Sequence, residues 1–362
     1  MMKRLIGHMI TLLLTGIILT GCSYDESVRD LRSNPTDPSL AITFANGLID
    51  KPITTRAVTL LSDHMNTMGV WGWQTTPLGT VERPFINQKV TFNAPEAQWT
   101  YSPLKYWDSN STYRFSAYAP HQNSVPGVTA SIDSVTRAIS ISGITLHGRN
   151  IIDQGMPTPP SNFGAVDDVD WMIDRFGQNM IGLNRGQVTF NMQHILSKLC
   201  VRIARDKTFL PDSIEHMTLD SIRITNFVCQ GNFEQSTRND SLGILAEWTP
   251  VDTLPRYTIT SAKRVGIPDS ALYVIESLMI PQPVNDDQYI QVWYNIGSES
   301  GYVGHYYYIS RLTDVFSRFM AGRNYLLTLT ISPKAITFDA GVQGWDDNYG
   351  DTNAFSRYLN KR

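Results

Sequence analysis

Two short spacings bring together residue types that could act in nucleophilic catalysis. Ser102 and Lys105 have the spacing of a serine nucleophile and its lysine base, but Pro103 between them disfavours the helix that this arrangement needs. Residues 297–301 have the glycine spacing of a nucleophile elbow, but Glu299 stands at the centre, where serine is required. Metalloprotease, phosphate-loop and dinucleotide-binding motifs are absent from the sequence. We therefore expect no catalytic residue.

Side chains that could bind a metal are also few. Asp167, Asp168 and Asp170 are close enough in sequence to ligate calcium, but the other ligands of a calcium-binding loop are missing. We interpret them as a solvated acidic loop. His194 lies in an apolar stretch, so we expect a hydrogen-bonded structural histidine. The sequence predicts no metal site and no cofactor.

A thiol at the end of the N-terminal apolar stretch is the strongest chemical signal. Lys3 and Arg4 precede residues 5–20, which are too short for a membrane-spanning helix and typical of a secretory signal peptide. The stretch ends in Leu19-Thr20-Gly21-Cys22, which resembles the lipobox of bacterial lipoproteins. We expect residues 1–21 to be removed and Cys22 to carry thioether-linked lipid with acyl chains such as palmitate, which would tether the protein to a membrane. An ordinary signal peptide with a chance cysteine is the alternative.

Charge and cysteine content exclude two further classes of protein. The chain has 30 Lys and Arg residues against 33 Asp and Glu residues, so it has no basic excess for binding nucleic acid. Three cysteines are too few for a disulfide scaffold. Cys200 and Cys229 remain after lipidation, and export would permit a disulfide if their strands are neighbours. Two small buried thiols are the alternative.

Apolar and polar residues alternate with a period of two over several short stretches, among them residues 113–119, 289–296 and 325–332. This pattern is typical of half-buried antiparallel strands. It predicts an all-β protein, and the chain length favours two β-sandwich domains. The best candidate helix is residues 312–320. Alternation directs these seven side chains inward: Phe115, Leu199, Val201, Ile290, Val292, Leu327 and Leu329.

Composition sets the expected domain limits. Residues 22–38 are polar and contain two prolines, which indicates a tether. Residues 156–186 are rich in Pro, Asn and Gly, so we place an N-terminal β-sandwich domain at 39–185 and a C-terminal one at 186–346, followed by a polar tail at 347–362. Apolar positions change parity near Gln193-His194, which predicts a bulge or a change of sheet.

A short repeat suggests a mechanism. Ala41-Ile42-Thr43-Phe44 recurs as Ala335-Ile336-Thr337-Phe338, so both segments could occupy equivalent positions in a sheet. Arg56-Ala57 follows the first copy and is a candidate site of proteolytic cleavage. Removal of the first strand would open a groove for a strand from another chain. Chance recurrence and a plain linker with a stray arginine are the alternatives.

These features and several others, taken in order, resemble the fimbrillin family, the Mfa-like lipoprotein pilins of type V pili in anaerobic Gram-negative bacteria. The resemblance covers about residues 1–346. Besides the lipobox, the first strand and the Thr55-Arg56-Ala57 junction, it is carried by the following motifs: Met68-Gly69-Val70-Trp71-Gly72, Trp99-x-Tyr101-x-Pro103 to Tyr106-Trp107, Tyr113-x-Phe115-x-Ala117-Tyr118-x-Pro120, His194-x-Leu196-Ser197-Lys198-Leu199, Ile280-Pro281-Gln282, Ala321-Gly322-x-x-Tyr325 and Ile336-x-Phe338 to Trp345.

The resemblance implies two transthyretin-like (Greek-key) β-sandwich domains in tandem and no enzyme activity. It implies a lipoprotein of the outer membrane, anchored through Cys22, exposed at the cell surface and assembled with other pilus subunits. It also implies cleavage between Arg56 and Ala57 by an arginine-specific protease and displacement of the strand that carries Ile42 and Phe44. A C-terminal segment of another subunit would then fill the groove.

Two functions therefore follow from the sequence. The first is a structural pilus subunit or a pilus-associated adhesin with a host or glycan ligand. The alternative is an outer-membrane surface glycan-binding lipoprotein, in which exposed coplanar Trp and Tyr rings beside a polar groove would bind sugars.

Overall fold

The structure is a computed structural model. It describes residues 38–44, 66–150, 152, 168–174, 178–182, 186–190, 192–206, 216–235, 246–251, 256–261, 264–297, 303–332 and 335–344. The strands are β1 (Thr67–Thr75), β2 (Val81–Asn93), β3 (Gln98–Thr100), β4 (Thr112–Ala119), β5 (Thr129–Ile132), β6 (Ile139–Thr145), β7 (Met172–Asp174), β8 (Gln178–Ile181), β9 (Met192–His194), β10 (Ser197–Arg205), β11 (His216–Phe227), β12 (Gln230–Gln235), β13 (Ala246–Pro250), β14 (Tyr257–Ser261), β15 (Val265–Gly266), β16 (Leu272–Met279), β17 (Tyr289–Gly297), β18 (Val303–Arg311), β19 (Arg323–Ile331) and β20 (Ile336–Gly344).

The first sheet is buried on both faces at its strand β1. Its strand order is β3-β2-β1-β4-β7-β9, with β8 also paired to β4. Successive side chains of a strand point to opposite faces, so β1 sends Met68 and Val70 into one core and Trp71 and Trp73 into another. We name these core 1 and core 2. Their separation by a single sheet explains why β1 is apolar on both of its faces.

Core 2 lies between the first sheet and a second sheet of order β13-β12-β6-β5. In the second sheet β12 pairs with β6, with Gly231 opposite Ile144 and Phe233 opposite Ile141. The expected boundary between residues 185 and 186 therefore falls between strands that share one sheet. The division into domains at that point stays a prediction.

The third and fourth sheets enclose core 3, the largest of the apolar clusters. The third sheet has the order β16-β10-β19-β20, in which β10 and β19 are parallel, and the fourth has the order β14-β11-β17-β18, with β15 also on β11. Inward-facing residues of both sheets fill the space between them. The all-β sandwich class predicted from the alternation is confirmed.

The change of parity near His194 marks a change of sheet. Residues 192–194 form β9 at the edge of the first sheet, and β10 begins at Ser197 in the third sheet. Ile195 and Leu196 between them are fully buried in core 2. The chain thus passes from one sandwich to the other without a surface loop.

The inward orientation of the seven side chains is confirmed, because each of them is fully buried. The helix expected over residues 312–320 is wrong. Only Leu312–Asp314 is helical, as a short 3₁₀ turn. Beyond it the backbone pairs with another segment instead: Phe319 N–H donates to the Gln282 carbonyl at 2.8 Å, and the Phe319 carbonyl accepts from Gln282 N–H at 3.1 Å.

The part of the chain described here contains no helix with the length and hydropathy needed to cross a membrane. The expected signal peptide, Cys22 and almost all of the tether lie outside the described residues. The polar tail at 347–362 also lies outside them.

Candidate functional site

The N-terminal segment, residues 38–44, is inserted between two other segments over core 1. After a 3₁₀ turn at Pro38–Leu40, Ala41 bridges Tyr106 in the antiparallel sense and Phe44 bridges Val188 in the parallel sense. Ile42 N–H donates to the Lys105 carbonyl at 2.8 Å. The segment therefore has backbone partners on both sides, as an internal strand does.

These contacts continue along the segment on both sides. Trp107 N–H donates to the Leu40 carbonyl at 2.9 Å, and Val188 N–H donates to the Thr43 carbonyl at 2.9 Å. Backbone donors and acceptors that lose their partners inside a protein cost free energy. Removal of the segment would leave such groups on both neighbouring segments.

Alternate side chains of the N-terminal segment fill core 1. Ile42 is 0% exposed and Phe44 is 3% exposed, whereas Thr43 between them is exposed. This is the inside–outside alternation of a strand on an apolar layer. The Phe44 ring lies within 5.5–6.3 Å, centroid to centroid, of four aromatic rings, those of Phe85, Tyr101, Phe115 and Phe190.

The hydroxyl of Tyr101 holds the N-terminal segment through its backbone. Its hydroxyl donates to the Ile42 carbonyl at 2.8 Å and accepts from Lys105 N–H at 3.2 Å. Burial raises the pKa of Tyr101 to about 12, although the hydrogen bond to the Lys105 backbone acts in the opposite direction. The phenol therefore keeps its proton at neutral pH and remains a donor.

A glycine in β1 makes room for the rings that receive Phe44. A Cβ atom at Gly72 would lie 2.8 Å from the Phe85 ring and 3.0 Å from the Phe115 ring. Such distances are too short for van der Waals contact, so both rings would have to move. Glycine at this position therefore leaves room for the two rings that contact Phe44 of the N-terminal segment.

The comparison with protein families decides what this chain is. A model described as fimbrillin-like matches residues 55–345. The chain belongs to the fimbrillin-like family. The match begins one residue before Arg56 and spans β1 to β20, so the N-terminal segment precedes it.

Solved structures of low sequence identity resemble this fimbrillin-like chain. A fimbrial protein from Bacteroides vulgatus is 17% identical, with a TM-score of 0.54, and the match covers 84% of this chain and 99% of that one. A candidate cell adhesion protein from Bacteroides uniformis is 18% identical, with a TM-score of 0.46 and coverages of 86% and 99%. The tip fimbrial protein Mfa3 from Porphyromonas gingivalis is 11% identical, with a TM-score of 0.33 and coverages of 79% and 96%. The first likeness shows the fold. Comparison with curated protein sequences finds no match.

In this fimbrillin-like chain, Ile42 and Phe44 are described, whereas Cys22, Arg56 and Ala57 lie outside the described residues. Lipidation and cleavage stay predictions. Sequence reasoning named Tyr101 within a family motif but did not predict its contact with Ile42, which lies 59 residues away. Its only sequence signal is its place in an aromatic stretch, Trp99-x-Tyr101, which does not specify a partner.

The two copies of the Ala-Ile-Thr-Phe repeat differ in their surroundings. The first has neighbours on both sides. Residues 336–338 of the second lie in β20, which within the described residues pairs only with β19, at the edge of the third sheet. Both copies point Ile and Phe toward a core: Ile336 is buried and Phe338 is partly buried against core 3. The shared sequence therefore reflects a shared pattern of burial and not the same position in a sheet.

Cys200 and Cys229 are both buried, and no disulfide joins them. The Cys200 thiol lies 3.4 Å from Oδ1 of Asn324 on the parallel strand β19. Burial raises the pKa of the Cys229 thiol, which keeps it protonated. The structure has the arrangement of two small core thiols that was the alternative to the disulfide.

The expected solvated acidic loop is wrong for Asp168 and Asp170, which are 1% and 3% exposed. Asp168 accepts hydrogen bonds from the backbone N–H groups of His147 at 2.6 Å and Arg149 at 2.9 Å. The hydrogen bond between the side chains of His147 and Asp168 raises the pKa of His147, although burial acts to lower it. Burial is tolerated because these hydrogen bonds replace water. Asp167 is not among the described residues.

Asp170 Oδ2 lies 2.6 Å from Nδ1 of His194, so the expectation of a hydrogen-bonded structural histidine is confirmed. Within the described ranges, no three His, Cys, Asp or Glu side chains gather as a metal site would require.

The described tryptophans present no fully exposed ring as a platform for sugars. The described tryptophans are buried except Trp248 and Trp293, which are partly exposed. Trp293 lies 5.0 Å from the Tyr307 ring at an interplanar angle of 40°, so the two rings are not coplanar. This geometry does not favour the glycan-platform hypothesis.

Proposed function

We propose that this fimbrillin-like protein is a non-enzymatic structural subunit of a pilus, or an adhesin associated with one. We further propose that it assembles with other subunits by strand exchange after cleavage near Arg56. The observation that carries the proposal is the N-terminal segment, which plugs core 1 with Ile42 and Phe44 and precedes Arg56 in sequence. The resemblance to a fimbrial protein supports it.

Cleavage after Arg56 would convert the N-terminal segment from part of the chain into a bound peptide. Loss of that peptide exposes the apolar rings of Phe85, Phe115 and Phe190 and unpairs the backbone on both sides of the gap. A strand from another subunit with apolar residues at alternate positions would restore both kinds of contact. The way in which the segment is held therefore supports the proposal of strand exchange.

Delivery to the cell surface rests on Cys22. We propose that lipidation of this thiol anchors the precursor in the outer membrane, where an arginine-specific protease meets it. Replacement of Cys22 by Ser should abolish incorporation of labelled palmitate and release the protein from the membrane fraction. Unchanged fractionation of this variant would contradict the anchor.

The cleavage proposal is tested by Arg56→Ala, with Lys51→Ala as the matched control in the same connecting stretch. Arg56 is the only arginine between residues 45 and 65, so an arginine-specific protease has a single target there. The native protein and Lys51→Ala should be trimmed at residue 57, as N-terminal sequencing would show, and should form ladders on gels run without boiling. Arg56→Ala should show neither the cut nor the ladders. A trimmed protein that stays monomeric at high concentration would disprove assembly through this groove.

A further inference from the structure

Three arginine side chains gather around one buried indole at the margin of core 2. Trp73 in β1 is 3% exposed and lies directly opposite Arg114 in β4. The guanidinium carbon of Arg83, in β2, lies 5.8 Å from the centroid of the Trp73 ring. That of Arg137, in the turn between β5 and β6, lies 4.9 Å from it. We name Arg83, Arg114 and Arg137 the arginine cluster.

The charges of the arginine cluster are not neutralised by carboxylates. In the part of the chain that the structure describes, none of the three forms an ion pair, whereas Arg205, Arg256 and Arg264 each pair with an aspartate. Nε of Arg114 is buried and has no hydrogen-bond partner among the described atoms.

The acid nearest in sequence to Arg137 is engaged elsewhere. Oδ1 of Asp133 accepts hydrogen bonds from the backbone N–H groups of Val135 at 2.9 Å and Thr136 at 2.6 Å. These bonds, above all those from Thr136, lower the pKa of Asp133. Its charge therefore stabilises the turn that carries Arg137 and makes no ion pair with the guanidinium.

This arrangement costs free energy in the isolated protein. Burial lowers the pKa of Arg137, and the positive charges of Arg114 and Arg83 lower it further. Arginine nevertheless stays charged at neutral pH, so the cluster holds mutually repelling cations in a partly desolvated place. Contact of a cation with an indole ring offsets part of this cost, which accounts for Arg83 and Arg137 near Trp73 but leaves the repulsion.

We infer that the arginine cluster is a binding site for an oxyanion, namely a sulfate, phosphate or carboxylate group. A guanidinium group presents a planar fork of donors that matches such groups and binds them with two parallel hydrogen bonds. Arg83 and Arg137 converge on one ring, and Arg114 lies opposite that ring in the neighbouring strand, so the three suit one compact anionic group better than an extended polyanion. An acidic sugar on a surface ligand and a free inorganic anion both carry this group.

The first test measures thermal unfolding of the protein in sodium sulfate and in sodium chloride of equal ionic strength. Sulfate also stabilises proteins generally, because it is excluded from their surfaces, and that effect grows in proportion to concentration. Binding adds a curved rise in Tm, which is steep at low concentration and then grows only with the logarithm of concentration. We expect this curved rise in the native protein, and we expect the half-saturation concentration of the site, fitted to the curve, to be at least tenfold higher in Arg83→Gln. Absence of the curved rise in the native protein with every anion tested would overturn the inference.

Arg223→Gln is the matched control. Arg83 and Arg223 are both exposed, and the guanidinium carbon of Arg223 lies 5.1 Å from the centroid of Trp293, outside the cluster. This variant should keep the native half-saturation concentration. Equal responses of Arg83→Gln and Arg223→Gln would contradict the site.

A second readout separates a binding site from a structural contact. In chloride alone, Arg83→Gln should unfold at the native Tm or above it, because one repelling charge is removed. A lower Tm together with an unchanged response to sulfate would show a purely structural role and overturn the inference.

The source of the oxyanion is distinguished by calorimetric titration with sialyllactose, with neutral lactose as its control. Binding of sialyllactose but not of lactose, weakened in Arg83→Gln, would identify an acidic sugar as the ligand. Saturation by sulfate or phosphate without binding of sialyllactose would identify the inorganic anion. Equal binding of lactose and sialyllactose would show that the charge is not recognised and would overturn the inference.

Discussion

At the scale of the single residue, Phe44 is the side chain on which closure of core 1 depends. Its ring fills the space among four aromatic rings, so Phe44→Ala leaves a cavity and should lower the free energy of unfolding by about 3–5 kcal/mol. Thr43→Ala is the matched control, because Thr43 is exposed on the same segment and should change stability by less than about 0.5 kcal/mol. Urea titrations of the uncleaved proteins measure both values, and a small effect of Phe44→Ala would contradict the role of the segment as a plug.

Single residues were predicted from the sequence when their signal was local. Alternation places Phe115 and Leu327 inward, and both are fully buried. Tyr101 and Trp73 could not be assigned in this way, because their partners Ile42 and Arg137 are tens of residues away along the chain. Asp168 was misinterpreted for the same reason. The donors that make its burial tolerable, the N–H groups of His147 and Arg149, lie 21 and 19 residues before it.

At the scale of the element, strand β10 follows the change of sheet and is joined to β16 by a buried ion pair. The parity change near His194 predicted the place, but the buried ion pair that fixes β10 to β16 was not predicted. Lys198 Nζ lies 2.9 Å from Oε1 of Glu276, and the two side chains are 5% and 11% exposed. Charges so little exposed must be paired, because water cannot solvate them.

The ion pair leads to a prediction for the pairing of these two strands. Lys198→Met leaves the Glu276 carboxylate buried without its cation and should lower the free energy of unfolding by about 3–5 kcal/mol. The double variant Lys198→Met/Glu276→Leu should recover most of this loss, since no uncompensated charge remains. Arg264→Met, at the exposed pair of Arg264 with Asp220, is the control and should cost less than about 1 kcal/mol. Additive effects of the two substitutions in a double-mutant cycle would show that the pair does not couple β10 to β16.

At the scale of the whole molecule, pairing between distant strands determines what the sequence could not reveal. The strand periodicity predicted an all-β sandwich, because that signal lies within each strand. The second sheet joins β6 to β12, with Thr145 opposite Gln230, and neither strand carries a mark of its partner. The same limit applies to residues 312–320. Their apolar spacing is that of a helix, but pairing with residues 282–284 and packing of Phe319 against Tyr325 at 4.7 Å determine the backbone.

The free energy of unfolding should fall steeply at alkaline pH, because buried tyrosines in different regions of the molecule have raised pKa values. Burial raises the pKa values of Tyr101, Tyr118 and Tyr325 from 10.0 to about 12. Below pH 10 these phenols are protonated in both the folded and the unfolded protein, so their contribution to stability is fully present. Between pH 10 and 12 the unfolded chain loses these protons while the folded protein keeps them, and the free energy of unfolding must therefore decrease as pH rises.

Urea midpoints between pH 9 and 12 measure this decrease, and absorbance at 295 nm follows the phenolates in the folded state. Lysines also titrate in this range, so the comparison of the native protein with Tyr118→Phe isolates one phenol. The Tyr118 hydroxyl donates to Oδ1 of Asn87 at 2.9 Å and accepts from Gln122 N–H at 3.1 Å, so Tyr118→Phe should be less stable at pH 8. It should also lose less stability than the native protein between pH 10 and 12, by up to the linkage of one proton, about 1.4 kcal/mol per pH unit. Parallel pH profiles of the two proteins would show that burial of Tyr118 does not contribute to alkaline unfolding.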